Sequence, residues 1–87
     1  MNEFNLRIST PDGDAFNGKA IFLSLRGSEG DLAVMAGHVP FITTTKAGRC
    51  KVEASDESES FSGIISTGLL TVAKDCVTLI CGSFERE

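Results

Sequence analysis

Gly27-Ser28-Glu29-Gly30-Asp31-Leu32-Ala33-Val34-Met35-Ala36-Gly37-His38-Val39-Pro40 fits a turn, a short apolar strand and a second turn into fourteen residues. Glycine accepts backbone angles that a Cβ disfavours, and proline holds the residue before it extended. The three glycines and Pro40 therefore mark corners, and Leu32 to Ala36 reads as a nearly all-apolar strand between them. The corners carry Glu29, Asp31 and the chain's one histidine, His38. In a β protein the corners are where partners are met, because the strands are occupied with packing.

The same two-fold pattern extends in both directions. Phe4, Leu6 and Ile8 alternate with Asn5 and Arg7, which predicts a strand with one buried face. Thr10-Pro11-Asp12-Gly13-Asp14 predicts a tight turn, and Asn17-Gly18 predicts another. Ile21, Leu23 and Leu25 alternate with Phe22, Ser24 and Arg26 as the next strand. Further strands are read at Phe41 to Lys46, Arg49 to Ala54, Phe61 to Ile65, Leu69 to Ala73 and Cys76 to Cys81. Ala47-Gly48, an acidic tip over 55–60, Thr67-Gly68 and Lys74-Asp75 join them, and Ser83 to Glu87 reads as a charged tail. Three-and-four apolar spacing nowhere persists, so no long helix is expected. Many short strands with frequent turns predict an all-β sandwich or barrel. Alternation assigns Leu6, Ile8, Phe16, Ile21, Leu23, Leu32, Val34, Val52, Leu70, Val72, Val77 and Leu79 to the core. Phe22, Phe41, Ile42, Phe61 and Ile80 fall on the opposite faces, where several exposed together would mark a docking patch.

The 87 residues predict one domain over 1–87. The formal charge of −4, with eight scattered Lys and Arg, argues against nucleic-acid binding. No apolar run approaches the roughly 20 residues of a membrane span, and Met1-Asn2-Glu3 lacks the start of a signal peptide. The three cysteines Cys50, Cys76 and Cys81 cannot all pair within one chain and are read as reduced core thiols. A zinc site of these thiols with His38 is the weaker alternative, since Cys76 and Cys81 would point to opposite faces of one strand.

Catalytic chemistry is nearly absent. A lone histidine gives no triad, the cysteines lack an activating signature, and there is no phosphate loop. The Gly27-to-Gly30 turn could cradle an anion, but Glu29 and Asp31 would repel it. The paired carboxylates, Asp12 with Asp14 and Glu57 with Glu59, lie in open turns rather than a cleft.

One set of motifs is shared with a known family. Leu6-Arg7-Ile8-Ser9-Thr10-Pro11-Asp12-Gly13, Phe16-Asn17-Gly18, Gly27-Ser28-Glu29-Gly30-Asp31-Leu32 and Ala36-Gly37-His38-Val39-Pro40 appear in order. Ala47-Gly48, Ser66-Thr67-Gly68-Leu69-Leu70-Thr71-Val72 and Val77-Thr78-Leu79 follow. From about residue 3 onward the chain resembles the N-terminal β-sandwich domain of the epsilon subunit of rotary F-type ATP synthases (delta in mitochondria). It departs from the pattern at Ala33, where the family often has glycine, and at Thr67-Gly68, where two glycines are usual. Family members commonly continue into a helical hairpin; none is expected within these 87 residues, and inhibition and nucleotide binding by a hairpin are not carried over.

The resemblance implies a flattened sandwich of two mostly antiparallel sheets, about ten short strands in all. It implies a non-catalytic rotor subunit of the central stalk that bridges the gamma subunit and the membrane c ring and couples proton flow to ATP synthesis. No cofactor or metal is implied. Ser28, Glu29, Gly30 and Asp31 match the loop that meets the c ring. Thr10, His38 and Thr43 match gamma-facing positions, and Gly37, Pro40 and Gly68 are read as structural turn residues. The expected protein is monomeric when isolated and has no direct membrane insertion. Its expected place is the cytoplasmic face of the bacterial inner membrane, held peripherally within the complex. A free-standing β-sandwich binding module without enzyme activity is the alternative.

Overall fold

The computed structural model describes residues 3–37 and 39–87. Nine strands run through them: β1 (Phe4–Thr10), β2 (Gly13–Gly27), β3 (Gly30–Val34), β4 (Phe41–Thr45), β5 (Gly48–Ala54), β6 (Phe61–Ile65), β7 (Gly68–Val72), β8 (Cys76–Cys81) and β9 (Phe84–Arg86). One 3₁₀ turn at Glu57–Glu59 is capped by the Asp56 side chain, which accepts from the Ser58 amide. No α-helix occurs among the described residues. The acidic tip over 55–60 is thus locally ordered: hydrogen bonds from Ser58 hold the Asp56 carboxyl below its usual range.

The architecture follows from β2. At about 3.3 Å per residue a straight strand of its fifteen residues would reach roughly 50 Å. The longest dimension of the molecule is 30 Å, so β2 has to bend. It does so at Ala20, which pairs with Phe4 of β1 and with Ala54 of β5. The register against β5 then shifts by one, leaving Ile21 as the extra residue of a β-bulge, the usual device for bending a strand. A second shift, opposite Ile8 and Ser9, leaves Ala15 unpaired.

The first arm of β2 belongs to a layer ordered β4-β7-β8-β1-β2. Its second arm belongs to a layer ordered β3-β2-β5-β6-β9. All pairings are antiparallel except β1 with β8. A single pairing, Gly27 with Thr45, joins the two layers at a second corner. The thinnest dimension is 20 Å, which suits two sheets about 10 Å apart with their outer side chains. Between them lie Leu6, Ile8, Leu70 and Leu79 from one layer and Leu23, Val34, Val52 and Ile65 from the other.

Several sequence expectations change. Asn17-Gly18 is not a turn: both residues sit within β2 and pair with Arg7 and Leu6. A two-residue turn signal gave way there to a strand held on its flank by β1. The tail is likewise not free, since Phe84–Arg86 forms β9 on the edge of β6. Its apolar contribution is one residue, Phe84, set edge-on to Phe61 with ring centroids 5.7 Å apart. Of the expected core, Phe16 and Leu32 are half-buried against it. Ile21 is half-buried because it is the bulge residue. Phe41 and Phe61, expected on outer faces, pack against the core instead. Cys76 is exposed, whereas Cys50 and Cys81 are buried.

Two glycines carry distinct demands. Gly37 has φ of +87°, a conformation that side chains rarely adopt. Gly68 is not a turn residue in that sense; it opens β7 between Thr45 and Cys81. A Cβ there would collide with the Ile80 carbonyl oxygen. Gly37→Val is expected to cost about 1–3 kcal/mol through strain. Gly68→Ala is expected to cost at least as much, because the backbones of β7 and β8 must part. Urea midpoints of the two variants, compared with the parent at unchanged slope, test both.

Candidate functional site

The register places most chain reversals at one end of the molecule. Thr45, Gly68 and Cys81 lie side by side, Gly27 pairs with Thr45, and Gly48, Ile65 and Phe84 form the matching row of the other layer. The tips beyond these rows are Ser28-Glu29, Lys46-Ala47, Ser66-Thr67 and Gly82-Ser83. The β1–β2 tip, Pro11-Asp12, lies at the same pole, since Thr10 and Pro11 border a groove with Thr67 and Gly82.

At this pole the acidic tip is a two-residue hairpin loop between Gly27 and Gly30. Asp31, 88% exposed, stands 3.8 Å from the Arg26 guanidinium, a loose surface pair of little energetic weight. The Lys46 amide donates to the Arg26 carbonyl at 2.9 Å and ties the β4–β5 tip to this hairpin. Thr43 and Phe41 border a shallow depression shared with Gly27 to Leu32. The Thr43 hydroxyl donates to the Thr44 carbonyl. Thr43 is thus beside the acidic loop, although sequence reading gave the two to different partners.

Thr10 locks its own turn: its hydroxyl donates to the Gly13 carbonyl at 3.0 Å and accepts from the Asp12 amide at 3.2 Å. Strands β8 and β7 separate it from β4, which carries Thr43. Gly37 and Pro40 lie in the β3–β4 connection, both exposed. His38 lies outside the described residues.

The outer faces of the two layers differ in chemistry. Around the centre of the β4-β7-β8 face, Ile42, Thr44, Leu69, Thr71, Thr78 and Ile80 point outward, with no charge among them. Ile42 is 68%, Ile80 53% and Leu69 40% exposed. Of these three, Ile42 and Ile80 are among the residues that alternation places on outer faces, and Leu69 is an addition from the structure. The signal was present, because placing Leu70 and Val72 inside puts Leu69 and Thr71 outside. The other layer presents Arg26, Asp31, Arg49, Lys51 and Glu85. Cations scattered in the chain gather there: Arg26, Arg49 and Lys51 border one depression, and Arg49 pairs with Glu87 at 2.9 Å. That pair, led by the Arg49 hydrogen bond, holds the Glu87 carboxyl below its usual range.

The two buried thiols are held in the protonated form. Burial, with Cys81 nearby, pushes the Cys50 thiol up to about 12. Burial also raises Cys81, against a hydrogen bond from the Ser83 backbone.

Comparison with known proteins gives the class first. The family model for the beta-sandwich domain of the ATP synthase delta/epsilon chain matches residues 3–87. The chain belongs to that family. The ATP synthase epsilon chain of Delftia acidovorans is 34% identical over 86 residues, covering 99% of this chain and 62% of the relative. That of Staphylococcus aureus (strain JH9) is 35% identical, covering 98% of this chain and 63% of the relative. The chain therefore spans less than two thirds of the relatives it matches. Among solved structures, a chain of the Euglena gracilis mitochondrial ATP synthase (OSCP/F1/c-ring) has the same fold, with a TM-score of 0.89 at 19% identity over 99% of this chain and 54% of that one. A chain of the Tetrahymena thermophila mitochondrial enzyme (central stalk/c-ring) gives 0.79 at 13% identity, covering 93% and 64%.

At neutral pH a maleimide is expected to modify Cys76 alone in the native protein and all three cysteines in urea, as counted by mass spectrometry. Stability should also fall with alkali. Folded Cys50 keeps its proton to about 12, whereas the unfolded thiol loses it from the ordinary 9.0. The unfolded state thus sheds protons first, and stability drops as pH rises above about 9. Cys50→Ala should flatten that slope in denaturation series between pH 8 and 11.

Proposed function

We propose that the chain is a non-catalytic rotor piece of a proton-translocating ATP synthase, bridging the gamma subunit and the c ring. Family membership supports the class. The observation that carries the division of labour is the charge-free outer face formed by Ile42, Leu69 and Ile80 with threonines beside them. Such a patch suits a lasting protein contact, because its burial strands no charge. We assign it to gamma. The acidic pole with Ser28, Glu29, Gly30 and Asp31 is assigned to the polar loops of the c ring, where complementary charge would set register more than affinity. Thr10 lies where the patch meets the pole, and Thr43 lies beside the acidic loop; both remain candidates for gamma contact, as does His38. Within such a complex the chain sits peripherally at the membrane, on its cytoplasmic face in a bacterium.

The two assignments separate by mutation. Ile42→Glu with Ile80→Glu should weaken capture by purified gamma at least tenfold and leave the melting temperature within a few degrees of the parent. Glu29→Lys with Asp31→Lys should leave gamma capture intact and reduce retention of the c ring in assembled complexes. Unchanged gamma capture by the first variant would remove that face from the assignment; unchanged ring retention and coupling by the second would remove the loop.

A further inference from the structure

Apart from Asp31, the outer face of the β3-β2-β5-β6-β9 layer is assigned to no partner above, and it gathers charge that the sequence scatters. Ser24 pairs with Lys51 across the β2–β5 ladder. Carried two residues on, that register brings Arg26 level with Arg49 on the same face. The Arg26 side chain leans toward β5, since a Cβ on Gly48 would lie 3.7 Å from its Cδ. Ser24, Arg26, Arg49 and Lys51 thus border one open depression of about 440 Å³. Like charges set across a ladder are destabilising, yet three of the eight cations of a chain with net charge −4 stand together here.

The protein relieves that repulsion only at the margins. Glu87 takes Arg49 at two points, Nε to Oε1 at 2.9 Å and Nη2 to Oε2 at 3.0 Å. Asp31, on the rim, stands 3.8 Å from the Arg26 Nε and is 88% exposed, so it leaves most of that guanidinium open. Glu53 lies two residues along β5 from Lys51 and borders a neighbouring depression. Among the described residues Lys51 makes no ion pair, and the half-buried Ser24 hydroxyl makes no hydrogen bond. The middle of the depression therefore presents guanidinium, ammonium and hydroxyl donors that the fold itself leaves unused.

We propose that this depression binds a phosphate chain, as free polyphosphate or as the phosphates of a nucleotide, through Arg26, Arg49 and Lys51 with the Ser24 hydroxyl. A single carboxylate would add nothing that Asp31 and Glu87 do not already bring. A phosphate chain carries several charges and several oxygens. It can therefore reach both strands of the ladder at once, taking guanidinium forks and an ammonium as charge-assisted donors. No aromatic side chain is among the described residues that border the depression, so a base finds nothing to stack on and recognition ends at the phosphates. The site stands whether or not the rotor assignments hold.

The test is an amide chemical-shift titration of the chain at fixed ionic strength, with pyrophosphate, ATP and adenosine as probes. Pyrophosphate is expected to give saturable shifts centred on residues 24–26 and 49–51, with a Kd of about 1 mM or below. ATP should bind within threefold of pyrophosphate, and adenosine should shift nothing. Arg26→Gln and Lys51→Gln should each weaken pyrophosphate at least fivefold, and Asp31→Asn should tighten it. Lys74→Gln removes the same charge at the β7–β8 tip of the opposite pole and should change the affinity less than twofold. All four side chains are exposed, so these variants keep the fold. Shifts that stay linear in pyrophosphate concentration overturn the proposal. So does a loss in Lys74→Gln equal to that in Arg26→Gln, because the attraction then belongs to overall charge. Adenosine shifts on the same residues would make the base the recognised part and overturn it as well.

Discussion

A strand longer than the molecule can hold is the constraint on which everything else depends. The fifteen residues of β2 would overrun the 30 Å body if straight, so the strand turns over at Ala20 and Ile21 and serves both layers. Because the bend lies inside one strand, the two sheets are covalently continuous. Ala20 is wholly buried at the fold line, where it pairs with β1 on one side and β5 on the other. A large side chain at that position would crowd both ladders.

The bend also sorts the surface. Both arms of β2 descend to the same pole, because Gly13 pairs with Thr10 and Gly27 pairs with Thr45. That return collects the tips there and leaves two broad outer faces along the sides. One is apolar and threonine-rich over β4, β7 and β8; the other carries Arg26, Arg49 and Lys51 against Asp31, Glu85 and Glu87. Charge gathered away from the β4-β7-β8 patch, on the other layer and on β1 with the first arm of β2 (Arg7, Asp14, Lys19), leaves that patch free for burial.

Much of this was legible in the residues, and the misses share a cause. Alternation located β1, β5, β6 and β8 within a residue or so and most of the core, because each has one buried face. It failed at Asn17-Gly18, where the local signal is a turn but the pairing with β1 decides the backbone. It missed β9, whose three residues have too little apolar pattern to announce a strand that exists by adding to the β6 edge. Alternation puts Phe41 and Phe61 outside, yet pairing places each opposite a buried residue, Val72 and Val52, so both face the core. Cys76 was read as a core thiol because it opens an apolar run; its place at the start of β8 turns it outward, while Cys81, five residues later, points in. The acidic tip and Gly37 stand out locally, the first as a hairpin signal and the second as a glycine closing an apolar strand just before Val39-Pro40. The charge-free face needs the order of three strands, β4, β7 and β8, which no single window of sequence contains.

The shared strand bears on stiffness as well as shape. The soft mode of a two-layer sandwich is sliding of one sheet over the other, since only side chains oppose it. Here sliding would have to shear β2 at the Ala20–Ile21 fold and break the Gly27–Thr45 pairing at the opposite corner. The first seam is covalent and the second is hydrogen-bonded, and between them lies a close-packed core that yields little under load. A body tied at two corners passes force from its side face to its pole with little loss to internal slip. That property, rather than any reactive group, is what this arrangement of residues supplies.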